Sequence, residues 1–197
     1  MQAATAAVDL VLPMNHPADA VLRGFFGANR ALGQRDRAFI ADTVFCVLRH
    51  KRLLEQLITQ PTPRKLVCAA LLKLQGFDLE QLDAFLEDND YDWVTRLRTA
   101  DIERLPAAIR LSVPDWLYDR LAAETSPDEA AKFGRAMLNP APLDLRVNTL
   151  KTDRERVLRD LEASGFAAAP TRFSPVGIRM AGKPGINRLD LFSSGAV

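Results

Sequence analysis

Histidine, cysteine, tryptophan and tyrosine each occur only twice in these 197 residues, and their scarcity removes whole classes of chemistry. His16 and His50 fall in unrelated segments, which speaks against a metal site built on imidazole. Cys46 and Cys68 sit inside apolar helical stretches, so they read as buried thiols of a reducing compartment and not as a disulfide framework or a CxxC site. The ten glycines form no GxGxxG and no P-loop. Gly24-Phe25-Phe26-Gly27 and Gly182-Lys183-Pro184-Gly185 have neither the spacing nor the strand-to-helix context needed to cradle a phosphate. Met1 to Leu12 is apolar but lacks the basic start of a signal peptide, and no stop-transfer segment follows. A cytoplasmic protein without a membrane partner is expected.

What remains is apolar and strongly charged. A hydrophobic content of 48% suffices for a proper core. The net charge of +1 conceals an asymmetry: nine bases against three acids between Arg23 and Lys65, then nine acids against two bases from Asp78 to Glu103. One basic face on such a molecule suits nucleic acid better than membrane, although crossing ion pairs could cancel part of it.

The most informative stretch is Arg35 to Ile58. Ala38 to Leu48 is apolar almost all the way round a helical wheel, which predicts the buried centre of a bundle. At Arg49-His50-Lys51-Arg52 either one long helix emerges into solvent or two helices meet. Helices are also expected from Ala18 to Arg30, from Arg64 to Gln75 with Gly76 behind it, and around Leu79 to Leu86, Trp93 to Leu97 and Trp116 to Leu121. Capping boxes are expected at Ser126 to Glu129 and at Thr152 to Glu155. Asn139-Pro140-Ala141-Pro142 is the best domain boundary, separating residues 1–139 from 143–197.

Beyond it Leu143, Leu145 and Val147 alternate with polar residues, as in a half-buried strand. The order of elements there, β-α-β-β, predicts a small ferredoxin-like or RRM-like split βαβ unit. The fold class is therefore mainly α, α+β overall.

No complete active site is visible. Cys46 lies on an apolar face, and the acids from Asp78 to Asp92 read as a solvated helix face. Binding is better supported. Arg30, Arg35, Arg37, Arg49, Lys51 and Arg52 could contact phosphates at the ends of the first and central helices. The competing reading is that some of them, Arg37 and Arg49 especially, pair with internal acids or cap helices. Arg146, Asn148 and Lys151 stand beside a strand end in the second unit, which carries nine bases against six acids, among them Arg172, Arg179, Lys183 and Arg188. Its strands lack the aromatic pair by which RRM-type readers stack bases, so contact with RNA backbone is expected; Phe166 and Phe173 are assigned to its core.

GQRDRAFIADTVFCVLRHKRLL resembles the signature of the NusB-like helical domain. SVPDWLYDRL, NPAPLDLRVNTLKTDRERVLRDLEASGF and GINRLDLFSSGAV are similar to the N-terminal half of bacterial RNA 5-methylcytosine methyltransferases of the RsmB/Sun (Fmu) family. This resemblance implies a NusB-like helical domain and a small α/β domain that hold small-subunit ribosomal RNA. It further implies a following catalytic domain, in contact with them, that uses S-adenosylmethionine and two cysteines. A cytosine would be flipped out of its stack, attacked at C6 by a cysteine and methylated at C5. Cys46 and Cys68 match neither catalytic cysteine, and Val197 falls where that domain would begin, so the chain alone is expected to be inactive and to hold no cofactor. The alternatives are a stand-alone NusB-type RNA-binding factor in antitermination or ribosome assembly, and a protein-interaction module that never meets RNA.

Overall fold

The structure, a computed structural model, describes residues 1–182, 184–185 and 189–197, with Asp88 described by its backbone alone. Lys183 and Arg188, counted above in the basic balance of the second unit, lie outside the described residues. The chain divides into two compact units, Met1–Asn139 and Pro140–Val197.

The first unit is all helical. In chain order its helices are α1 (Gln2–Val11), α2 (Ala18–Ala28), α3 (Gln34–Arg49), α4 (Lys51–Leu57), α5 (Pro63–Leu74), α6 (Leu79–Leu82), α7 (Tyr91–Thr99), α8 (Ala107–Arg110), α9 (Asp115–Glu124) and α10 (Pro127–Leu138). The Arg35–Ile58 stretch is two helices. They meet at His50, whose backbone (φ −108°, ψ 17°) closes α3 by donating to Cys46 O and opens α4 by accepting from Leu54 N.

Helix α3 buries Ile40, Thr43, Val44, Cys46 and Val47, as its pattern predicts, but the most enclosed helix is α5. There Leu66, Val67, Cys68, Ala69, Ala70 and Leu71 are buried without a break, on every side of the helix. Met1 to Leu12, apolar in the sequence, is part of this bundle. It forms α1, whose Ala4, Ala7, Val8 and Val11 pack on α3 and α5. Alanines let backbones approach closely, so this three-helix contact needs few large side chains.

Helix boundaries follow the local chemistry. Pro63 and Pro127 occupy first-turn positions where a missing N–H costs nothing, and Thr62 and Ser126 accept from the Lys65 and Glu129 N–H groups. The box expected at Ser126 is half formed, because the Glu129 carboxylate binds Lys132 Nζ instead of reaching back. The cap expected at Thr152 lies one residue later, at Asp153, which accepts from Arg156 N at 2.8 Å.

One acid of the Asp78–Glu103 run is internal. Asp90, 4% exposed, accepts from Arg64 Nη2, from Glu87 N at 2.8 Å and from Trp93 Nε1 at 2.8 Å, which ties the start of α5 to α7. Arg64 Nη2 also donates to Phe85 O at 2.6 Å.

The second unit contains β1 (Asp144–Arg146), α11 (Arg154–Ala163), β2 (Ala168–Pro170), β3 (Gly177–Met180) and α12 (Asp190–Ser193). The sheet order is β1-β3-β2, and β3 is antiparallel to both neighbours, with Leu145 opposite Ile178 and Ala169 opposite Arg179. β1 and β2 are thus parallel, separated by β3 and joined through α11, which is the split βαβ arrangement. Leu145, Val147, Ile178 and Met180 meet Val157 and Leu161 of α11 to form the core of this unit. Phe166 packs against that core as expected.

The Asp90 cluster makes a pH prediction. Burial alone would raise the Asp90 carboxyl, but Arg64 and the Glu87 and Trp93 N–H groups outweigh it and lower the carboxyl from 3.8 to about 2. Its ionised form therefore stabilises the fold fully above about pH 4, and this contribution is lost as pH falls through 2. Urea unfolding between pH 6 and 2 should show the native chain losing stability more steeply than Asp90→Asn; parallel profiles would refute the assignment.

Candidate nucleic-acid interface

The six cations proposed in the helical unit do not share one patch. Arg35 and Arg49 stand at opposite ends of α3, about 21 Å apart along the axis at the usual helical rise. Arg30 lies in the α2–α3 turn, where Asn29 closes α2 by donating from Nδ2 to Phe25 O at 2.9 Å. Arg30 and Arg35 are both exposed and have no ion pair among the described residues. Arg35 also lies in the first turn of α3, where a cation opposes the helix dipole, so its placement does not serve stability. Arg37 is held: its Nε donates to Leu32 O at 2.9 Å and its guanidinium lies 5.6 Å from the Phe26 ring centre.

At the α3–α4 junction the basic cluster is mostly engaged. Lys51 pairs with Glu55 one turn on. Arg52 binds both Asp115 carboxylate oxygens at 2.8 Å and donates to Val113 O, joining α4 to the start of α9. Arg49 is half-buried, and its Nε lacks a hydrogen-bond partner. Burial, reinforced by neighbouring Arg49, pushes the His50 imidazole below its ordinary value and favours the neutral ring.

In the second unit Asn148 and Lys151 are also structural. Asn148 Nδ2 donates to Gly195 O at 3.0 Å, and Lys151 Nζ donates to Ser194 O at 2.6 Å, so both fasten residues 194–196 beside the end of β1. Arg146 is exposed and has no ion pair among the described residues. Arg179 is neutralised by Asp144 through two contacts of 2.7 Å. Phe173 is not in the core: it is 88% exposed, on the β2–β3 loop. The signal was present, since Phe173 is flanked by Thr171, Ser174 and Pro175, and turn formers around a lone aromatic mark a loop tip.

Among the described residues neither cysteine is set up as a nucleophile. Burial pushes the Cys46 thiol up and the Cys68 thiol up to about 12, so neither supplies a thiolate nucleophile near neutral pH. Among the described residues no cluster of three His, Cys, Asp or Glu could hold a metal, and no helix is long and apolar enough to cross a membrane. The β1–α11 connection contains no glycine, and Asp153 already caps the α11 N-terminus. The described residues therefore do not fit a nucleoside cofactor such as S-adenosylmethionine at that turn.

Residues 113–187 match the family model of the RsmF/B-like methyltransferase ferredoxin-like domain. That match begins inside the first unit and so takes in α9 and α10 as well as the sheet. The chain is a relative of the RsmB methyltransferases. It is 31% identical over 186 residues to ribosomal RNA small subunit methyltransferase B of Xylella fastidiosa strain 9a5c, covering 83% of this chain and 44% of that protein. It is 28% identical over 199 residues to the probable methyltransferase B of Synechocystis, again covering 83% of this chain and 44% of the relative. The chain thus spans less than half the length of these curated relatives. A solved structure titled "Crystal Structure of PH0851" shares the fold, with a TM-score of 0.70 over 98% of this chain and 51% of that one, at 16% identity.

For this RsmB-like chain the Arg52 contacts generate a stability prediction. Arg52→Ala should lower the unfolding free energy by about 1 kcal/mol, a charge-assisted hydrogen bond discounted for the exposure of Asp115. An unchanged urea midpoint would mean that Arg52 is not a structural tie.

Proposed function

We propose that this chain is the RNA-recognition part of an S-adenosylmethionine-dependent methyltransferase acting on cytosine C5 of small-subunit ribosomal RNA in the cytoplasm. In this reading residues 1–139 are a NusB-like RNA-binding bundle, and residues 143–197 are a small α/β domain that borders a catalytic domain. The observation that carries it is the similarity to methyltransferases of small-subunit ribosomal RNA over most of the chain and under half of theirs. A stand-alone NusB-type factor is disfavoured by the match to a methyltransferase ferredoxin-like domain.

The role left to these residues is positioning. Exposed guanidiniums at Arg30, Arg35 and Arg146 supply sequence-independent attraction to phosphate, which fixes register on a folded RNA but reads no base. Arg37 braces the α2–α3 turn from which Arg30 and Arg35 project, Asn148 and Lys151 brace the strand end beside Arg146, and Lys51 and Arg52 are engaged at the far end of α3.

Affinity of the chain for a small-subunit ribosomal RNA fragment, measured between 50 and 200 mM salt, should fall steeply. Arg30→Ala and Arg35→Ala should each flatten the logarithmic salt slope by about 1. Salt-insensitive binding, or slopes unchanged in both variants, would count against the assignment.

A further inference from the structure

We propose that the uncovered face of the small sheet, with Phe173 at its rim, is a stacking site for an unpaired RNA base. The proposal rests on the RNA-recognition reading and adds what phosphate contacts lack, a means of holding a base. Strand alternation sends Leu145, Ile178 and Met180 toward α11 and leaves Asp144, Arg146 and Arg179 on the opposite face. Beside them lies a groove of about 580 Å³ whose wall includes Phe173 and Arg172. That volume falls within the ~300–1,000 Å³ usual for small-molecule sites.

The aromatic ring is presented by a braced loop. Thr171 N donates to Gly177 O at 3.0 Å, Thr171 Oγ1 donates to Ser174 O at 3.2 Å, and Arg154 of α11 donates to the same carbonyl at 3.3 Å. The turn is so tight that a Cβ on Gly177 would fall 2.2 Å from Thr171 Oγ1, so only glycine fits there. The loop is thus held by its own hydrogen bonds, and Phe173, 88% exposed, does nothing to close it. The Arg172 guanidinium lies 5.0 Å from the ring centre, which leaves most of the ring in solvent.

Charge selects the occupant. Asp144 neutralises Arg179, whereas Arg146 and Arg172 have no carboxylate partner among the described residues. An exposed ring with the Arg172 guanidinium against it, and Arg146 without a carboxylate nearby, matches a base stacked on the ring and its flanking phosphates. An acidic peptide would satisfy the arginines but would leave the ring without a planar partner.

The test uses the whole 197-residue chain and two labelled RNAs of equal length, a hairpin with an unpaired loop and a blunt duplex. Phe173→Ala should weaken binding of the looped RNA about 5- to 100-fold, as expected for one lost stacked base, with duplex binding and thermal unfolding unchanged. Phe173→Trp should restore affinity, and Arg146→Ala should weaken both RNAs and flatten the salt slope by about 1. If Phe173→Ala binds looped RNA like the native chain while the Arg30 and Arg35 variants weaken, the stacking site is overturned and the broader reading stands. If the native chain binds neither RNA, or binds an acidic peptide in their place, both are overturned.

Discussion

Six consecutive buried residues on α5 dictate the helical unit. A run from Leu66 to Leu71 turns through more than one full helical turn, so burying all of it requires neighbours in every direction. α1, α3, α4 and α7 supply them. Each Leu or Val enclosed this way is worth roughly 1.5–3 kcal/mol relative to exposure, so this helix outweighs any surface ion pair in deciding the fold. The small residues Ala4, Ala7, Ala69 and Ala70 make the close approach possible.

That requirement also decides where charge can go. With α3 and α5 packed along their lengths, the cations of these two helices stand at their ends, and with those of the adjoining turns and helix α4 they divide into two kinds. Arg37, Arg52 and Arg64 turn back to satisfy carbonyls and carboxylates at the joints. Arg30 and Arg35 do not, and one of them stands against a helix dipole. Residues that oppose local stability without an internal partner are the natural candidates for an external anion.

Much of this was legible in the sequence, for identifiable reasons. The 3.6-residue period of Ile40, Val44 and Val47 marks α3, and the period-2 pattern of Leu145 and Val147 marks β1, because each element buries one defined face. The break at Pro140 and Pro142 is written in local backbone chemistry. α1 was not legible, since four of the ten residues of Gln2–Val11 are alanines, which mark no apolar face until their packing partners are known. Nor were the partners of the basic residues. Arg52 meets Asp115 across 63 positions of sequence, and Asn148 meets Gly195 across 47, separations at which spacing carries no signal. Resemblance to a family could not say which arginine faces outward.

The small sheet shows why that last distinction matters. Arg146 and Asn148 are two residues apart, and at the sequence level both read as polar residues near a strand end. Asn148 lies just past β1, where its backbone and side chain both bond residues 195–196, so it is consumed in joining two segments. Arg146 lies inside β1, between the buried Leu145 and Val147, so the pleat itself turns it away from α11. A sheet covered on one side must expose the other, and what that face carries is free to vary without cost to the core. Arg146 is therefore available for recognition because the hydrophobic pattern of its neighbours excludes it from every structural task.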